Sequence, residues 1–216
     1  MHSFSNPYIY TRPVESRHPN NQAHRFVVFS PKAQRRMTLF GVAALRLWLE
    51  LEADPMVRQL CERPVLIPDV RPPCTVDFWV ERGDRQDFLL VRRPESAQLR
   101  VEALEAFKAW ASSQGCGVQE VVLAPDTVGR ARWRTAWVQI LQYINAHSEQ
   151  VPPGLVRRAE HEATSTRSIG DLCQIIAYHP GVLVRTAAYL LVYRGTHRLV
   201  DLAEHGLSDA TLLEPL

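Results

Sequence analysis

What this sequence is short of narrows its chemistry first. Its four cysteines, Cys61, Cys74, Cys116 and Cys173, contain no Cys-x-x-Cys pair. That spacing argues against a zinc ribbon or a disulfide framework and makes the reducing cytoplasm the expected compartment. No stretch approaches the ~20 apolar residues of a membrane span, and Met1-His-Ser-Phe-Ser-Asn6 is too polar for a signal peptide. His161, His179 and His205 are not spaced as zinc ligands. The formal net charge is only +2 over 216 residues, so the chain does not bind nucleic acid by bulk charge alone. No internal repeat is visible, and lysine is scarce.

What is present is unevenly placed. A hydrophobic content of 46% suffices for one medium core or two small ones. Arg12, Arg17, Arg25, Lys32, Arg35 and Arg36 crowd the N-terminal part against Glu15 alone, and Arg130, Arg132, Arg134, Arg157, Arg158 and Arg167 form a second concentration. Arginine offers a planar fork suited to phosphate, although GC-rich coding also favours Arg over Lys.

Along the chain, residues 1–31 read as an arm, with Phe26-Val-Val-Phe29 as one edge strand. A helix is expected from Lys32 to Glu52 on the apolar positions Leu39, Val42, Ala43, Leu45, Leu47, Trp48 and Leu51. Asp54-Pro55 stops it, because the residue before proline avoids the α region. Val65–Ile67 is a strand. Ala97–Ser113 and Arg130–His147 are helices around a strand over Val118–Leu123. Strands interleaved with helices imply an α/β domain with a mixed sheet over 32–148, and its tryptophans are core residues rather than base-stacking platforms.

Two short runs sit at the centre: Cys74-Thr-Val-Asp-Phe-Trp-Val80 and Asp87-Phe-Leu-Leu-Val-Arg-Arg-Pro94. Both are β-branched or aromatic and read as neighbouring strands, joined by the polar loop Glu81–Gln86. The first carries Asp77. The second ends in Arg92 and Arg93 and offers no carboxylate where a metal-dependent nuclease needs one. Nucleases of the restriction-endonuclease-like class take an Asp from one strand and a Glu-x-Lys from the next. Aligned on Pro94, Val91 and Arg93 occupy those places; shifted by one, Leu90 and Arg92 do. An aliphatic side chain cannot bind Mg²⁺, and a guanidinium is no general base at neutral pH.

Leu49-Glu-Leu-Glu-Ala-Asp-Pro-Met-Val57, Glu62-Arg-Pro64, Thr75-Val-Asp-Phe78 and Leu89–Pro94, in that order, resemble TnsA, the endonuclease subunit of heteromeric transposases. Its members read approximately Leu-Glu-x-Asp-Pro-x-Val, Glu-x-Pro, Thr-Pro-Asp-Phe and Val-Glu-Val-Lys-Pro. The resemblance implies a restriction-endonuclease-like domain followed by a winged helix-turn-helix domain. It also implies a DDE-type transposase and an AAA+ regulator as partners, with DNA as substrate. Of the family's site only Asp77 carries over. The helical Glu falls near Ala43, and Phe40–Leu49 holds no acid. The expectation is therefore a DNA-binding or assembly subunit, a pseudonuclease with no metal unless Asp77 holds one. The alternative is an active Mg²⁺- or Mn²⁺-dependent endonuclease that cuts transposon 5′ ends with migrated ligands, among Asp87, Glu81 and Glu95, with Glu50 or Glu52 for the helical acid.

Ser148–Gly154 is the best domain boundary, leaving 149–216 as the winged-helix candidate. It comprises Leu155–Ala163, a helix from Ser168 whose side chain caps the amide of Asp171, the turn His179-Pro-Gly181, a helix Val182–Tyr193, and a wing over Arg194–Asp201. Candidate DNA contacts are Arg185 and Thr186 on the recognition helix, Arg194, His197 and Arg198 on the wing, and Arg92, Arg93, Arg130, Arg132 and Arg134 elsewhere. That recognition helix is almost wholly apolar, which favours protein docking slightly over DNA. A transcription regulator reusing the fold is a further alternative.

Overall fold

The structure, a computed structural model, describes residues 10–14, 24–67, 70, 74–92 and 101–216. The chain divides into two compact units, Met1–Leu51 with Met56–Ala124, and Glu52–Pro55 with Pro125–Leu216.

The first unit opens with a hairpin of β1 (Arg25–Ser30) and β2 (Arg35–Phe40), paired antiparallel with Phe29 opposite Arg36 and Arg25 opposite Phe40. The helix expected from Lys32 therefore begins ten residues later, as α1 (Val42–Ala53). The reason is periodicity: Met37 and Leu39 are buried while Arg36 and Thr38, which alternate with them, are not, which is a strand pattern. The Ser30 hydroxyl accepts from the Ala33 N–H in the turn. Gly41, at φ +81°, separates strand from helix with a conformation that favours glycine.

After α1 come β3 (Val57–Glu62), the two-residue strands β4 (Leu66–Ile67) and β5 (Cys74–Thr75), then β6 (Phe78–Arg82) and β7 (Arg85–Val91). The polar loop shrinks to a two-residue turn, Gly83-Asp84, since Arg82 pairs with Arg85 and Gly83 takes φ +59°. Helix α2 (Val101–Ser113) carries the chain across to β8 (Gly117–Val121). The sheet order is β3-β6-β7-β8, antiparallel except for the parallel β7–β8 pair that this crossover permits. On one face Trp79, Phe88 and Leu90 pack with Cys61, Val76 and the α2 residues Phe107 and Ala111. Trp110 stacks on Phe88 and Phe107, which are tilted against each other, at centroid distances of 5.5–5.8 Å.

The second unit holds α3 (Val128–His147), a 3₁₀ turn Ser148–Gln150, α4 (Pro153–Glu162), β9 (Arg167–Ser168), α5 (Ile169–Ile175), α6 (Gly181–Tyr193), β10 (His197–Leu199), α7 (Leu202–His205) and β11 (Leu212–Pro215). Thus α3, which the sequence places at the close of the first domain, counts with the second unit. Two caps anchor helix starts: Thr127 accepts from the Arg130 N–H at 3.2 Å, and Ser168 from the Asp171 N–H at 3.0 Å, as its sequence position predicts. α3, α4 and α5 pack on α6, whose Val184 and Thr186–Val192 are all buried. The expected wing over Arg194–Asp201 does not close on itself. β10 pairs instead with β11, and β9 flanks β11 on its other side, all antiparallel. Among the described residues no helix is long and apolar enough to cross a membrane.

Candidate functional site

Asp77 lies where β5 gives way to β6, and its own backbone marks an irregularity. Its N–H donates to the Leu89 carbonyl, although Leu89 is already the register partner of Phe78, so two residues answer to one. The Asp77 carbonyl accepts from the Arg63 N–H at 2.9 Å. Its carboxylate Oδ2 accepts the Val91 N–H at 2.7 Å, standing in for the backbone acceptor that the irregular strand no longer supplies. Leu90 points with Phe88 into the cluster under α2. Alternation then makes Val91 the residue on the side of Asp77, which selects the alignment closed by Pro94.

Neither neighbour offers a donor. Leu90 and Val91 are each 7% exposed and aliphatic. Of the carboxylates proposed as migrants, Asp87 and Glu52 are engaged elsewhere. Asp87 is buried opposite Val80, four residues along β7 from Val91 or roughly 13 Å, with Arg85 Nε 2.9 Å from its Oδ2. Glu81 sits beside the β6–β7 turn, opposite Gln86. Glu52 is fully buried and accepts the Tyr193 O–H at 2.6 Å. Burial first, then the charge of Glu52, push the Tyr193 hydroxyl up, so it stays a donor. Glu50 is half-buried on α1, and Arg93 and Glu95 lie outside the described residues. Among the described residues no three His, Cys, Asp or Glu side chains come together. The described residues do not fit a Mg²⁺ or Mn²⁺ pair, since a hard cation needs several oxygen ligands and Asp77 brings one carboxylate already hydrogen-bonded.

Glu62, from the Glu-Arg-Pro motif, is a buried anchor. Arg35 grips it with Nη1 at 2.9 Å from Oε1 and Nη2 at 2.6 Å from Oε2, and the Thr38 N–H adds a third bond. The hydrogen bond to Glu62 raises the Arg35 pKa.

The predicted DNA contacts fare unevenly. Thr186 is fully buried and donates to the Val182 carbonyl in its own helix, and His197 is buried with Nε2 3.2 Å from the Ala163 carbonyl oxygen. Both are corrections: the apolar helix and the displaced wing strand turn these side chains inward. Arg185 is clamped on Asp209, Arg198 on Glu214, Arg92 on Glu120 and Arg134 on Asp126. Arg132 donates to the Glu204 carbonyl. Arg130 and Arg194 are exposed. The arginines were read as free cations because their acids lie far away in sequence: Asp209 is 24 residues from Arg185 and Glu120 is 28 from Arg92.

Arg25 and Arg36, part of the N-terminal concentration of cations, are not among the contacts the sequence singles out. The alternation of Arg36-Met-Thr-Leu-Phe40 that fixes β2 also places Arg36 on an outward face, but that segment was counted as helix. No protein-family model matches this chain, and no curated protein matches it.

Proposed function

We propose that the chain is a TnsA-like subunit of a DNA transposition complex that contributes binding and assembly and does not cut DNA. The observation that carries this is the neighbouring placement of the acid strand β6 and the Glu-x-Lys strand β7, with buried Val91 in place of the Glu and with Asp77 occupied by the Val91 amide. α1 before the sheet, and β8 beyond the α2 crossover, support the restriction-endonuclease-like class for the first unit.

In the second unit the order α4, β9, α5, α6, β10, β11, with β11 between the other two strands, supports a winged helix-turn-helix. Its α6 is packed on by three helices and presents a clamped Arg185 in place of free base-reading side chains. This favours protein docking for that unit, with the DDE-type transposase and the AAA+ regulator as the partners implied by the resemblance. The test is co-elution of the full chain with a DDE-type transposase and an AAA+ ATPase from its own genome, in the presence of duplex DNA. A stable complex that forms equally well with Asp77→Ala is expected. No complex with either protein would end the assembly role.

A further inference from the structure

We infer that the outward face of the β1–β2 hairpin is a contact surface for an unpaired nucleic-acid strand, with Arg25 and Arg36 taking phosphates and Phe29 stacking on a base. This specifies the DNA contact within the proposed function and rests on that function only for its biological setting. The register builds the face. Arg25, Val27 and Phe29 of β1 share one side with Phe40, Thr38 and Arg36 of β2, while Met37 and Leu39 on the other side are buried. Two Arg–Phe cross-strand pairs therefore mark its ends, Arg36 opposite Phe29 and Arg25 opposite Phe40, roughly 13 Å apart along the strands. Val27, between them, is 59% exposed and Phe29 42%.

Charge selects the occupant. The clamped arginines described above each have an acid, but among the described residues no carboxylate pairs with Arg25 or Arg36, both of which are exposed. A third guanidinium, Arg63, lies 4.8 Å from the Phe40 ring centroid. Its pKa is lowered chiefly by burial, against the charge of Glu62, which raises it, and the charge of Arg25 lowers it slightly further. Arg63 itself takes φ +46°, an uncommon conformation for a non-glycine residue. Arg25 and Arg36, with no paired carboxylate among the described residues, lie beside the exposed Phe29 ring and complement a polyanion whose bases are free to stack. A duplex keeps its base faces covered, so an exposed Phe ring gains most from an unpaired strand.

The experiment is fluorescence anisotropy of labelled single-stranded and duplex oligonucleotides with the full chain at two or more salt concentrations. Arg25→Gln/Arg36→Gln is expected to weaken single-strand binding and flatten its log–log salt slope by about 1.4, two phosphates at about 0.7 each. Phe29→Ala is expected to weaken single-strand binding roughly five- to a hundredfold and to leave duplex binding and the salt slope unchanged. Arg58→Gln/Arg157→Gln removes the same charge from exposed positions off this face and is expected to do neither. Circular dichroism of each variant separates misfolding from lost contact. The surface assignment is overturned if the control pair costs as much as Arg25/Arg36, or if the parent binds neither oligonucleotide at low salt. Equal losses for Phe29→Ala on both oligonucleotides overturn the unpaired-strand assignment. Parent binding unaffected by Arg25→Gln/Arg36→Gln sinks this inference alone and leaves the assembly role standing.

Discussion

At the scale of single residues, the polar groups around Asp77 make structural contacts: Asp77 takes the Val91 N–H and Glu62 takes the Arg35 fork. Glu62 is buried and Arg35 is its main partner. Arg35→Ala is therefore expected to lower unfolding free energy by about 3 kcal/mol or more, the cost of stranding a buried charge, read by urea denaturation. A loss below about 1 kcal/mol would place the pair among ordinary surface ion pairs. Next to it, burial first and then the charge of Glu62 push the Cys61 thiol up to about 12 from an ordinary 9.0. A thiol raised on folding adds stability that is complete below the unfolded value and is lost as pH climbs through the folded one. Stability should thus decline from pH 9 upward, and Cys61→Ala should decline less steeply. Cys116, Cys173, Tyr189 and Tyr193, also raised by burial, add to the slope in both forms. Identical slopes for parent and variant would contradict the assignment.

At the scale of elements, the parallel β7–β8 pair depends on one close approach. A methyl group on Gly117 would stand 2.2 Å from Asp87 Oδ1, and that carboxylate is held by Arg85. Gly117→Ala should cost roughly 1–3 kcal/mol by overpacking. Combined with Asp87→Ala it should cost less than the two separate losses together, and strict additivity would show that the carboxylate is not what the methyl meets. The central strands, α2, β8, α6 and the Ser168 cap were legible in the sequence because each is governed by local periodicity or one capping residue. β2 was not, because Leu39 suits a helix stripe and a strand alternation equally, and only Gly41 arbitrates. The wing was mislaid because β10 finds its partner in β11, beyond a helix, and pairing over that separation leaves no local mark. Asp77 and the apolar residues beside it were legible. The inward turn of Thr186 and His197, and the acids facing Arg92, Arg134, Arg185 and Arg198, were not, since tertiary packing sets them.

At the scale of the whole molecule, the proposed role rests on a mixed sheet with no cluster of metal-ligating side chains among the described residues, and on a second unit whose central helix is enclosed by its neighbours. In the proposal, the outward β1–β2 face meets a nucleic-acid strand and the second unit meets partner proteins. The most direct test is nicking of supercoiled plasmid by the full chain in Mg²⁺ and in Mn²⁺, with and without the transposase, for the parent and for Asp77→Ala. The account predicts no nicked circle above background from the chain alone and identical products for both forms with the transposase. A Mn²⁺-dependent nick made by the parent and lost in Asp77→Ala would contradict it and return Asp77 to catalysis.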